Sequence, residues 1–253
     1  DMLQKLLELS EEKLTDSTTY LVFPEAALKA SRIDELGRVG ATARLQEFVD
    51  ARPGLRLVTG LTLIEWFPEG EELPAFAREY TDRLGRLRHW AAYNSAIQLE
   101  SGQEDIPVYY KSKLVPGAES FPYRRFLSFL DPLLEPLGAG GSGFGYQAER
   151  EAFQSEGQGV GPLICYESVF GAYVTGYVRQ GANALFIITN DSWWDNTLGH
   201  RQHLRLASLR AIETRRAIAR AANGGISCLV DQRGDILQPT RYGEAVSLRG
   251  ELV

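Results

Sequence analysis

Gly161-Pro162-Leu163-Ile164-Cys165-Tyr166-Glu167-Ser168-Val169-Phe170 is the segment around which the other 243 of the 253 residues arrange themselves. Its apolar start reads as a strand. The residues after Glu167, through Val178, read as a helix weakened by glycines and β-branched residues. A cysteine at a strand-to-helix turn has its thiol lifted out of the sheet, near backbone N–H groups that favour thiolate and can hold an oxyanion. Free cysteine is also among the most buried residue types, so a packed core cysteine is the competing reading. The polar Tyr166-Glu167-Ser168 that follows at once weighs against it, because a cysteine used only for packing has no need of those groups.

Working outward, the apolar run Ala184-Leu185-Phe186-Ile187-Ile188-Thr189 reads as a strand buried on both faces, delivering Asn190-Asp191-Ser192-Trp193-Trp194 to the same sheet edge. Upstream, Tyr20-Leu21-Val22-Phe23 is a short strand stopped by Pro24-Glu25, and Val108-Tyr109-Tyr110 is a strand that hands over to Lys111. Open α/β sheets place their chemistry at the carboxyl ends of strands. Glu25, Lys111 and Cys165 each stand at such an end. A turn glutamate and a loop lysine are ordinarily just solvated, but the aromatic run before Lys111 half-buries its stem, and a desolvated ammonium acts strongly on an oxyanion.

Between these points the pattern predicts a helix over residues 1–15, a second from Arg32 to Ala51, and strands at Leu55–Ile64 and Trp90–Leu99 separated by a polar turn at Asp82–Arg88. A long helix is expected from His200 to about Ala222, stopped by Asn223-Gly224-Gly225, then three short strands with a turn at Asp231–Gly234. The alternation of strands and helices gives an α/β fold, and no linker or internal repeat divides it, so one domain is expected. Residues Phe121–Leu137, rich in aromatics and leucines and followed by the glycine run 138–143, read either as a packed helix and turn or as a mobile apolar flap.

The net charge of −6 and the lack of a basic cluster argue against nucleic acid as a partner. Two cysteines make no disulfide framework, and Cys228, in a strand-like run, reads as core. No apolar run approaches the length of a membrane span. His200 and His203 stand three apart on one helix, but no matching Cys or Glu pair accompanies them, so no metal site is expected. Nothing around His200 in sequence orients an imidazole toward Cys165, which tells against a Cys–His pair. What remains is a carboxylate base: Glu25 takes the thiol proton, Cys165 attacks a carbonyl, and Lys111 with the Tyr166 N–H steadies the oxyanion.

Glu in Phe23-Pro24-Glu25, Lys in Tyr110-Lys111-Ser112-Lys113-Leu114 and Cys in Ile164-Cys165-Tyr166-Glu167 occur in the order of the nitrilase, or carbon–nitrogen hydrolase, superfamily. Within it, Lys111 through Glu119, Cys165-Tyr166-Glu167, Asn190 through Trp194 and the helix from His203 to Asn223-Gly224-Gly225 resemble the apolipoprotein N-acyltransferases. The resemblance implies a four-layer αββα sandwich with Glu25, Lys111 and Cys165 as catalytic triad. It also implies Glu119 and Glu167 as supporting carboxylates, Tyr166 and Trp193 as substrate-pocket residues, and no metal or organic cofactor. It further implies a phospholipid acyl donor, a Cys165 thioester, a diacylglyceryl-modified apolipoprotein as acceptor, and a bacterial inner-membrane enzyme whose domain faces the periplasm. Lys113 and Gly117-Ala118 depart from the residues common in that family. By the same likeness its transmembrane helices and first strand are missing here, so a fragment of a membrane enzyme is expected. A soluble amidase acting on a small amide and a non-catalytic lipid-binding domain stay open beside it. The apolar 121–137 stretch tells against the first, and the intact Glu, Lys and Cys set against the second.

Overall fold

The computed structural model describes residues 2–120 and 143–253; the Phe121–Leu137 stretch lies outside the described residues. Two six-stranded mixed sheets form the centre. The first holds β1 (Tyr20–Val22), β2 (Ser31–Arg32), β3 (Arg56–Phe67), β4 (Arg78–Thr81), β5 (Leu87–Glu100) and β6 (Val108–Tyr110). The second holds β7 (Phe153–Ser155), β8 (Gln158–Ile164), β9 (Ala184–Asn190), β10 (Ile218–Asn223), β11 (Cys228–Val230) and β12 (Ile236–Leu237), in the order β12-β11-β10-β9-β8-β7. Helices α1 (Met2–Glu11) and α2 (Gly40–Asp50) supply Leu3, Leu45 and Val49 to pack on Leu57, Leu61, Leu63, Ile97 and Leu99 of the first sheet. Helices α3 (Gly171–Arg179) and α4 (Leu198–Thr214) supply Tyr173, Val174, Tyr177, Leu204, Ala207 and Ala211 to the second.

Period two explains the layering: odd residues of β3 face α1 and α2, whereas Val58, with Ala96 and Tyr109, joins the core shared with Leu163, Phe186 and Ile188 of the second sheet. Each such buried Val, Leu, Ile or Phe side chain contributes roughly 1.5–3 kcal/mol. The result is the αββα sandwich expected from the sequence. No helix among the described residues is long and apolar enough to cross a membrane.

Parallel pairing of β8, β9 and β10, with α3 and α4 as crossovers, sends three strand ends to one edge. On the first sheet, β1 and β2 run parallel to β3 at residues 56–58 and 63–64, and the chain between them carries Glu25 along the same edge. That path hugs β3: Gly60 N–H donates to Pro24 O and Ala27 N–H to Gly60 O. A Cβ on Gly60 would lie 2.7 Å from the Glu25 Cα, so only glycine admits this approach.

Several elements differ from the sequence reading. The expected Arg32–Ala51 helix is a two-residue strand, a 3₁₀ turn at Ile33–Glu35 and then α2, because Gly37 and Gly40 take positive φ of 70° and 64° and interrupt it. The helix expected to reach Ala222 stops at Thr214, where Arg215 turns left-handed (φ 51°), and the remaining residues enter β10. Asn223-Gly224-Gly225 therefore closes a strand. Of the three final strands expected, β11 and β12 are found among the described residues, joined by the anticipated Asp231–Gly234 turn.

Candidate active site

Glu25, Lys111 and Cys165 meet at the seam between the two sheets. Lys111 is fully buried, its Nζ 2.8 Å from Glu119 Oε1 and 3.5 Å from Glu25 Oε1. Asn94, opposite it on β5, donates through Nδ2 to Glu25 Oε1 (2.7 Å) and Glu119 Oε1 (2.8 Å), so one amide spans both carboxylates. Their outer oxygens are held by backbone: Asn190 N–H at the end of β9 donates to Glu25 Oε2 (2.7 Å), and Val115 N–H to Glu119 Oε2 (2.8 Å). Burial works against the ammonium, but Glu25, the Cys165 sulfur and Glu119 outweigh it and hold the Lys111 pKa above its ordinary value. The lysine is therefore a fixed cation in a dry site.

Cys165 opens a 3₁₀ turn, Cys165–Val169, directly after β8, and takes φ +50°, a left-handed conformation that a residue with a Cβ adopts only under constraint. The sequence reading places a helix from Val169; instead the strand passes first into this 3₁₀ turn, and the helix begins at Gly171. The turn's N–H groups do not by themselves make a thiolate of Cys165. Burial first, and Glu25 second, push the thiol up to about 12, against the opposing pull of Lys111 and the neighbouring Thr189 hydroxyl. The sulfur rests protonated beside a carboxylate, an arrangement in which a base is needed when the sulfur attacks.

Glu167 is fully buried and ties two segments together. Its Oε1 accepts from Ser112 N–H (2.7 Å), Lys113 N–H (3.2 Å) and the Tyr109 hydroxyl (2.5 Å), while Oε2 accepts from Ile164 N–H (2.9 Å). The loop leaving Lys111 and the residue before Cys165 thus share one carboxyl group. Desolvation raises its pKa in spite of these donors. Tyr109 in turn bonds the Tyr173 hydroxyl at 2.7 Å, and its own pKa is raised by burial and by Glu167. Tyr166 is half-buried with its ring edge-on to Phe170. Trp193, on the 3₁₀ turn Ser192–Trp194 after β9, is 81% exposed and stands apart from the buried cluster.

Sequence reasoning missed Asn94, Tyr109 and a second polar group around His203. Asn94 had a visible signal, an amide inside the apolar run Trp90–Leu99. His203 was set aside, yet its Nε2 lies 3.1 Å from the Cys165 carbonyl oxygen and its Nδ1 2.9 Å from Asp191 Oδ1. Both ring nitrogens are occupied away from the sulfur, so His203 is not placed as the base. His200 is buried against Tyr242, facing partners different from those of His203, and the two do not share a ligand position. Among the described residues no group of three His, Cys, Asp or Glu side chains could hold a metal ion. Cys228 is buried core, as expected.

The fold and this site define a nitrilase-type sandwich, and the chain belongs to the carbon–nitrogen hydrolase family, whose model matches residues 1–249. Among curated proteins it is similar to the apolipoprotein N-acyltransferase of Chlorobaculum tepidum, 38% identical over 179 residues, covering 67% of this chain and 32% of that protein. It is also similar to that of Pseudomonas syringae pv. tomato, 30% identical over 240 residues, covering 92% of this chain and 40% of that protein. The chain thus spans about a third to two fifths of the length of these relatives. Among solved structures, Saccharomyces cerevisiae Nit3 superposes with a TM-score of 0.62 at 16% identity, over 96% of this chain and 82% of that one. The Xanthomonas campestris carbon–nitrogen hydrolase superfamily protein XC1258 gives 0.60 at 15%, over 96% and 82%. At these identities the structural likeness speaks for the fold alone.

Proposed function

We propose that this chain is the catalytic part of an N-acyltransferase that carries an acyl chain on Cys165 from a phospholipid to the N-terminal amine of a lipoprotein. The observation that carries the reading is the convergence of Glu25, Lys111 and Cys165 from three strand ends of two sheets, with Lys111 wholly buried between carboxylates. The relatives' names give the acceptor class.

In the first half-reaction Glu25 takes the Cys165 proton as Sγ attacks the ester carbonyl carbon. The oxyanion forms against Lys111 Nζ and the Tyr166 N–H. The intermediate expels the lysophospholipid oxygen, which recovers the proton from Glu25, and a thioester remains. In the second, the neutral α-amino group attacks the thioester and gives its proton to Glu25. The sulfur leaves and is reprotonated, and the product is an amide. Glu119 and Asn94 fix Glu25 and Lys111, Glu167 fixes the two loops, and Tyr166 and Trp193 line the approach. In the longer protein we place this domain on the periplasmic side of a bacterial inner membrane.

The test is intact mass after incubation with phosphatidylethanolamine in detergent, beside Cys165→Ser. The expected result is an acyl adduct that hydroxylamine removes and that the variant lacks. Ammonia release from simple amides, with no adduct from phospholipid in the full-length protein, would replace this reading with an amidase.

A further inference from the structure

A second polar group lies behind the nucleophile, buried and separate from the Glu25–Lys111–Glu119 set. Ser168 Oγ donates to the Cys165 carbonyl oxygen at 2.8 Å, and His203 Nε2 lies 3.1 Å from the same oxygen and 2.8 Å from Ser168 Oγ. His203 Nδ1 lies 2.9 Å from Asp191 Oδ1, and Arg220 Nη2 donates to Asp191 Oδ2 at 2.7 Å. Arg220 is anchored by the Ile226 carbonyl (2.7 Å), and the Thr189 hydroxyl donates to Asp191 Oδ1 (2.9 Å). Ser168 and Asp191 are fully buried, and Arg220 and His203 nearly so. A cluster of this kind is costly to bury, and what it holds is one peptide group.

That peptide is the Cys165–Tyr166 unit. Its carbonyl accepts from the Ser168 hydroxyl and faces His203 Nε2 at 3.1 Å. Its N–H, on Tyr166, falls in the first turn of a 3₁₀ segment, where it has no partner within that turn. A hydrogen bond accepted at a peptide oxygen shifts charge along the unit and strengthens its N–H as a donor. It also fixes the plane of a peptide whose first residue sits at φ +50°. We propose that His203, backed by Asp191 and Arg220, is a positioning residue that holds and polarises the Cys165–Tyr166 peptide, so that the Tyr166 N–H is aimed at the oxyanion. The inference rests on the reading of Cys165 as nucleophile, though not on the identity of the acyl donor.

The experiment uses a short p-nitrophenyl ester as generic acyl donor, with nitrophenolate release and intact mass as readouts. Alkylation of Cys165 by iodoacetamide runs beside it, since that reaction develops no oxyanion. His203→Ala is expected to lower kcat for acylation about tenfold, a fraction of the loss on removing an oxyanion donor outright. KM and the Cys165 alkylation rate should stay near wild type. His203→Gln, whose amide restores an N–H toward the carbonyl, should recover most of the loss. Acylation and alkylation falling together in both variants would reduce His203 to a scaffold residue, and unchanged acylation would remove the role altogether. If His203→Ala does not fold, Ser168→Ala takes its place, removing a donor to the same oxygen while leaving the Asp191–Arg220 pair. A selective loss of acylation then supports the inference, and an equal loss or none overturns it. Phospholipid failing as donor while the ester still acylates Cys165 would refute the acyltransferase reading and leave the His203 comparison decisive. A wild-type Cys165 inert to the ester would overturn both.

Discussion

Lys111→Met tests the electrostatics of the site most directly. The methionine retains most of the stem's volume and removes the ammonium that stands 2.8 Å from Glu119 and 3.5 Å from Glu25. At an effective dielectric near 20, contacts at these distances are worth roughly 5–6 kcal/mol each before desolvation is subtracted. Desolvation consumes much of that, and the net loss on removing one partner of a buried pair is about 3–5 kcal/mol. Two carboxylates then share the Asn94 amide with no cation between them. For a chain of this size the expected fall in Tm is on the order of 10 °C at pH 7. Adding Glu119→Gln to Lys111→Met should recover part of the lost stability. The assay is thermal unfolding followed by circular dichroism. A single variant melting within about 2 °C of wild type at pH 7, or a double variant no more stable than the single one, would refute the account of Lys111 as the charge that holds the two carboxylates together.

Two further outcomes follow from the same geometry. In Glu25→Gln the carboxylate that helps to push Cys165 up to about 12 is gone while Lys111 remains. The thiol should titrate lower and alkylate faster at neutral pH, while acyl transfer falls by roughly 10²–10⁴ for want of its base; slower alkylation would contradict this. Asp191 is held below the usual carboxylate range by His203 and Arg220 in spite of its burial. The native state binds fewer protons there than the unfolded chain, so this stabilisation is present above about pH 4 and is lost as pH falls through the depressed value. Asp191→Asn should accordingly cost most near neutrality and progressively less in acid, as read from urea unfolding at a series of pH values; a deficit independent of pH would count against the ion pair.

The three strand-end residues were legible because their strands are apolar and short and each stops on a polar residue, a pattern set by backbone geometry. Asp191 and His203 were in view, but their partnership was not, because it depends on Arg220. That arginine also explains the largest misreading of the fold. Residues 215–222, Arg-Arg-Ala-Ile-Ala-Arg-Ala-Ala, carry strong helix formers and no glycine to mark the stop at Arg215. The alternation of β10 is real, with Ile218 and Arg220 buried and Ala219 and Ala221 less so, but a buried charge at the second inward position hides it from any apolar-periodicity test. A strand whose inward residue serves an ion cluster does not look amphipathic. The Gly60 contact with Glu25 was equally invisible, since it records the approach of two backbone segments well separated in the chain, brought together just beyond the parallel pairing of β1 with β3.

The seam at which the site lies has a consequence for when the protein is reactive. Glu25 and Lys111 belong to the half of the chain that is synthesised first, and Cys165 to the half that follows. Neither half holds the whole set: one carries the Glu25 carboxylate and the Lys111 ammonium, the other the Cys165 thiol. Docking of the two sheets therefore acts as a licence. Until the shared core closes, Cys165 has neither Glu25 nor Lys111 beside it, and on the function proposed above any loosening of that core separates the three groups before either sheet has come apart.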